Sequence, residues 1–97
     1  MTPCKRVEII IDEPLLRRVL AVLDDVGAPG HTVYRNLTGS GNRGTRRGDE
    51  LTGVFNNCCV VVACEERMAM ELAEALRPVL KRSGGMCLIS DALWLRH

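Results

Sequence analysis

Cys58-Cys59-Val60-Val61-Val62-Ala63-Cys64 is an unbroken apolar run of seven residues. Its β-branched centre and its length predict a strand, running from Val54 to Cys64, and the run offers no polar face to water. A strand of an antiparallel sheet with one wet face alternates apolar and polar residues. This one does not: Val60 and Val62 point one way, Val61 and Ala63 the other. Just beyond it, Glu65 and Glu66 start a helix at the end that carboxylates favour. Ala69, Leu72, Ala73, Leu76 and Leu80 make its apolar stripe. Pro78 predicts a kink or an irregular last turn. Lys81 and Arg82 suit the C-terminal end, and Gly84-Gly85 breaks the chain. Met86 to Ser90 reads as a further strand, apolar on both sides, and Ala92 to Arg96 as a short extended tail.

Upstream, Val7-Glu8-Ile9-Ile10-Ile11 predicts the first strand. Pro14 then opens a helix where its missing N–H is harmless. Leu16, Val19, Leu20, Leu23 and Val26 fall on one face of that helix, and Gly27 ends it before the turn Ala28-Pro29-Gly30. His31 to Leu37 is the second strand. From Thr38 to Gly53 the chain is almost devoid of apolar residues and carries glycines at 39, 41, 44, 48 and 53 and arginines at 43, 46 and 47, so a long loop is expected there. Loops of this length in compact domains usually carry function. The element order is β-α-β-loop-β-α-β. That is the α+β, ferredoxin-like split βαβ arrangement: a four-stranded antiparallel sheet with both helices on one face. Two helices cover one face of such a sheet. The other face is also apolar, no chain is left over to cover it, and copies of the same chain are expected to do so.

Composition narrows the function classes. The 97 residues are read as a single domain, 1–97, and 46% of them are hydrophobic but only 3% aromatic, so the core is aliphatic. Thirteen basic against twelve acidic residues leave a net charge of +1, against the strongly basic footprint of nucleic-acid binding. Only Tyr34, Phe55 and Trp94 are aromatic, and there is no RNP1 pattern, which disfavours a small RNA-binding module on this fold. The five cysteines (4, 58, 59, 64 and 87) show no C-x-x-C pair and no zinc spacing to a histidine. An odd cysteine count without an export signal or an apolar run of membrane-spanning length fits a reducing cytosol, and a cytoplasmic chain is expected. No metal site is expected, and no catalytic residues: His31 sits at a turn, His97 is the last residue, and the carboxylates lie at helix starts or on solvated faces. The chain is therefore read as a regulator and not an enzyme.

The chemistry is concentrated in Gly39-Ser40-Gly41-Asn42-Arg43-Gly44-Thr45-Arg46-Arg47-Gly48. Glycines let backbone N–H groups converge on an anion, and arginine adds a planar fork of donors matched to phosphate. Neither a Walker sequence nor a dinucleotide fingerprint accompanies it. Gly84-Gly85 offers either a second approach point for an anion or a plain helix cap.

The whole chain resembles the PII-type signalling proteins. The residues that carry the likeness are Lys5-Arg6-Val7-Glu8-Ile9-Ile10-Ile11, the turn Gly30-His31-Thr32-Val33, the loop base Gly39-x-Gly41-x-Arg43, and Gly85-Met86-Cys87-Leu88-Ile89-Ser90. The resemblance implies a homotrimer whose sheets line a central core. It implies adenine nucleotide, AMP or ADP with ATP as an alternative, in clefts between subunits. On this reading Ile10, Thr32, Gly39, Gly41, Arg43, Ala63, Gly84, Gly85, Met86 and Arg96 touch the nucleotide, and a T-loop at about 38–53 reads the ligand out. Several features depart from the classical pattern. No tyrosine lies between Thr38 and Gly53, Asn56-Asn57-Cys58 and Met86 stand where phosphate-binding lysines are found, and the chain ends soon after the fourth strand. These departures point to the branch tied to inorganic carbon, resembling SbtB-type regulators and the PII-like proteins encoded near carboxysome genes. Bicarbonate, held by Gly41, Asn42, Arg43 and Arg46, is the implied second ligand. A membrane bicarbonate transporter or a carboxysome-associated protein is the implied partner. The competing reading is a structural, shell-type oligomer, which leaves the Gly/Arg loop without a task.

Overall fold

The structure is a computed structural model and describes residues 1–38 and 57–97. Its elements are β1 (Thr2–Asp12), a 3-10 turn (Glu13–Leu15), α1 (Leu16–Val26), β2 (Thr32–Leu37), β3 (Asn57–Cys64), α2 (Glu66–Ser83) and β4 (Met86–Trp94). The strands form one sheet in the order β2-β3-β1-β4 with every neighbouring pair antiparallel, which is the ferredoxin-like arrangement expected. Residues 39–56, which include most of the expected loop and the Val54–Asn56 start of the expected third strand, lie outside the described residues.

Alternation along the two central strands separates the faces. Val7, Ile9 and Ile11 of β1 and Cys58, Val60, Val62 and Cys64 of β3 point to the helices and are buried. They pack with Leu16, Val19 and Leu23 of α1 and Ala69, Leu72 and Leu76 of α2 in one cluster. Each of these larger side chains, taken fully out of water, contributes about 1.5–3 kcal/mol, and among the described residues no polar or charged one is buried with them.

Gly27 closes α1 in the left-handed conformation (φ +84°), its N–H donating to the carbonyls of Leu23 and Asp24. Pro14 falls in the 3-10 turn, one turn ahead of the α-helix it was expected to open. α2 runs through Pro78 to Ser83 as one helix. β4 continues to Trp94, well past the expected end at Ser90, because Ala92, Leu93 and Trp94 pair with Cys4, Pro3 and Thr2, which lengthen β1 in turn. The Lys5 ammonium donates to the Asp91 carboxylate where the two extensions begin.

The second face of the sheet carries the alternate residues. Tyr34, Cys59, Ile10 and Met86 form one row across the four strands, and Thr32, Val61, Glu8 and Leu88 form the next. No described helix covers this face: Tyr34 is 54%, Met86 46% and Leu88 49% exposed, whereas Cys59, in the middle of the row, is buried by its neighbours on the sheet. The two-sided apolar character read from strands three and four is thus present, with Val61, Ala63 and Leu88 on the side away from the helices. No described helix is long and apolar enough to cross a membrane.

Candidate functional site

One end of the sheet gathers several of the residues singled out above. Ile10 and Met86 are direct partners across β1 and β4, and Leu37 and Asn57, between which residues 39–56 run, are partners at the same end. The turn from α2 into β4 lies there as well. Gly84 has φ +82° and its N–H donates to the Leu80 carbonyl at 2.8 Å, so this glycine closes the helix. Gly85, at φ +116°, is pressed against β1. A Cβ built on it would stand 2.9 Å from the Ile10 carbonyl oxygen, 3.0 Å from Ile11 Cγ2 and 3.1 Å from Leu80 Cδ2. The helix-cap reading of this pair therefore belongs to Gly84, and the close backbone approach to Gly85.

The other named residues lie elsewhere. Thr32 sits on β2, at the opposite edge of the sheet, in register with Val61. Three strand spacings, about 14 Å, separate that edge from β4. Ala63 pairs with Arg6 further along β3. Arg96 follows β4, its guanidinium 4.5 Å from the centre of the Trp94 ring. Trp94 is the partner of Thr2, so Arg96 is near the start of β1, roughly 26 Å along that strand from Ile10. Gly39, Gly41, Asn42, Arg43 and Arg46 lie outside the described residues. One chain thus brings Ile10, Gly84, Gly85 and Met86 together and leaves Thr32, Ala63 and Arg96 at separate places around its open face. The sequence reading left Tyr34 aside, although its exposed ring shares a row with Ile10 and Met86. The signal for it was simple alternation from Thr32 along β2.

The cysteines are free. Burial pushes the thiols of Cys58, Cys59, Cys64 and Cys87 above their ordinary range, with Glu13, Glu8 and Cys4 adding smaller contributions at the first three respectively. Thiols held neutral in this way are poor nucleophiles and poor metal ligands. No metal-binding group of side chains occurs among the described residues. What the structure places here is an apolar residue, Ile10, whose carbonyl oxygen abuts the Gly85 turn.

The P-II family of nitrogen regulatory proteins matches residues 4–97 of the chain. Among solved structures, CPII from Thiomonas intermedia K12 bound to ADP, AMP and acetate is 24% identical, with a TM-score of 0.83 over 98% of this chain and 91% of that one. The same protein bound to ADP and bicarbonate is 26% identical, with a TM-score of 0.81 over 97% of this chain and 90% of that one. Its apo form gives 23% identity and a TM-score of 0.80 over 98% and 95% of the two chains. A comparison with curated protein sequences yields no match. With the strand order, the helices on one face and the family match over nearly the whole chain in agreement, the protein belongs to the nitrogen regulatory protein P-II family.

Proposed function

We propose that the chain is a PII-like regulator that binds AMP or ADP, together with bicarbonate, in clefts between the subunits of a homotrimer. It signals inorganic-carbon or energy status to a bicarbonate transporter or a carboxysome-linked partner through residues 38–53. The observation that carries this reading is the division of the candidate residues within one chain. Gly84, Gly85 and Met86 stand at one edge of the sheet and Thr32 at the other, with an open apolar face between them. Sheets of neighbouring copies laid against that face set one chain's β4 edge beside another's β2 edge and make one cleft of the two halves. The binding of ADP, AMP and bicarbonate by CPII supports the choice of ligands. In the cleft, Gly39, Gly41 and Arg43 meet the phosphates and Thr32 the adenine. Arg46, Asn42 and Gly41, with Arg43, hold the smaller oxyanion. Two anions side by side repel, so arginines must lie around them.

Ordering a glycine-rich segment costs roughly 1–2 kcal/mol per residue fixed. A ligand that orders part of it lets the next bind more tightly. By linkage, bicarbonate and nucleotide then tighten each other by the same factor. Titrating ADP at constant pH and ionic strength, with chloride replaced stepwise by bicarbonate, tests this. Affinity rises with bicarbonate on this reading, and Arg43→Ala weakens it by about 1.5–3 kcal/mol, the range for a hydrogen bond to a charged group. An oligomer that ignores every adenine nucleotide contradicts the reading and favours a structural role.

A further inference from the structure

α1 carries its charges against its own dipole. Arg17 and Arg18 stand in its first turn and Asp24 and Asp25 in its last, with no carboxylate at the start and no cation at the end. A helix favours the reverse, anions at the N-terminus and cations at the C-terminus. α2 follows that order: Glu66 opens it, and Lys81 and Arg82 close it. The two helices run in opposite directions over the sheet. α1 starts just after Asp12, the end of β1, and α2 ends at Gly84-Gly85, where Gly85 lies against the Ile10 carbonyl. α2 begins beyond Cys64, the partner of Lys5 at the far end of the β1–β3 ladder. The inversion of α1 therefore gathers like charges. Arg17, Arg18, Lys81 and Arg82 share one end of the helical layer. Asp24 and Asp25 lie toward the other, which holds Glu65 and Glu66 with Arg67. All of these side chains are exposed. None of the first four forms an ion pair with a described residue, and the carboxylates at their end, Asp12 and Glu13, have partners of their own, Arg35 at 2.6 Å for Glu13.

We propose that this basic end is a docking surface for the anionic headgroups of a phospholipid membrane. The order on α1 gives the lone chain nothing: the usual order would set carboxylates beside Lys81 and Arg82 and let the helices attract each other. With a net charge of only +1, the chain as a whole draws anions weakly, and segregation of its charges is what makes one end attractive. A small anion needs only the basic end and is indifferent to where the carboxylates lie. An extended anionic sheet acts on the whole molecule, attracts one pole and turns the other away, and so fixes the orientation of the chain. The planar guanidinium forks of three of the four residues suit phosphodiester oxygens. No described helix is long and apolar enough to span a bilayer, so the contact is peripheral. This role goes beyond the nucleotide reading above and does not depend on it.

The test is sedimentation of the full chain with vesicles, after circular dichroism has shown each variant folded. Vesicles of phosphatidylcholine and phosphatidylglycerol in equal parts are expected to carry the wild type down, and vesicles of phosphatidylcholine alone to leave it in solution. Added salt is expected to release it, since the attraction is screened. Arg17→Gln and Lys81→Gln are each expected to weaken binding about fivefold, the weight of one basic residue at an anionic surface. Arg67→Gln removes the same charge at the other end and is expected to change it by less than about twofold. Attachment to both vesicles, attachment to neither, or an Arg67→Gln loss equal to that of Arg17→Gln overturns the proposal. So does binding of soluble polyglutamate or of RNA as tight as that of the vesicles at equal negative charge, which would assign the surface to an acidic protein segment or to nucleic acid. Titration of ADP into the same variants tests the nucleotide reading separately.

Discussion

A Cβ on Gly85 would meet a carbonyl oxygen of β1, which is backbone and has no room to yield, and φ there is +116°. Gly27 also has a positive φ, +84°, but nothing lies within 4 Å of its built Cβ. The two glycines therefore separate two costs. Gly27→Ala is expected to lose about 1–2 kcal/mol, the left-handed backbone alone. Gly85→Ala loses more, because crowding against Ile10 and Leu80 adds to the backbone cost. Thermal midpoints at one fixed chain concentration check the order, and equal midpoints for the two variants contradict it. The thiols carry a second prediction at this scale. Burial raises Cys58, Cys59, Cys64 and Cys87 above the ordinary value of 9.0. The hydrogen bond to Asp91 raises Lys5 in the same direction. A group that holds its proton more tightly when folded lends stability that is complete below its unfolded value and is lost as pH rises through its folded one. Resistance to urea is therefore expected to fall on moving from neutral pH to well above 9.0, with thiolate absorbance appearing only as the chain unfolds. Resistance unchanged over that window contradicts the shielding of these thiols from water in the fold.

The elements show where local pattern suffices and where it does not. α1 and α2 were legible because five apolar positions in each recur at helical spacing, and because Gly27 and Gly84 close them. Leu72 is wholly buried on that stripe. Leu72→Ala is expected to cost about 2–5 kcal/mol, whereas Arg77→Ala, which removes only an exposed pair with Glu74, costs within about 0.5 kcal/mol. Denaturant midpoints that fail to separate the two place the core elsewhere. The outer halves of β1 and β4 were not legible. Thr2 to Lys5 and Asp91 to Trp94 have no strong alternation of their own, and each is a strand because the other pairs with it across almost the whole chain. Local periodicity carries no trace of that pairing; the opposite charges of Lys5 and Asp91 were its one sign in the sequence. In the candidate site, the glycine pair and Ile10 were legible through their likeness to the family. The separation of Thr32 and Arg96 from them was not, since it follows from strand order and register.

At the scale of the whole molecule, the sheet has two apolar faces and described helices for only one of them. The single chain leaves Val61 and Leu88 on the uncovered side, with Leu88 half exposed. Light scattering is expected to give about three times the 10.7 kDa chain mass. Val61→Asp places a charge opposite Glu8 on the face that neighbouring chains would cover, and is expected to leave folded single chains, since the residue points away from the core beneath the helices. That variant permits the most direct test of the central claim, which is that the nucleotide site is completed only by a neighbouring chain. Calorimetric titration of ADP into wild type and into Val61→Asp, with both shown to be folded, makes the comparison. One ADP per chain is expected for the assembled wild type and no measurable binding for the dissociated variant. Dissociated Val61→Asp chains that bind ADP as tightly as wild type would contradict that claim.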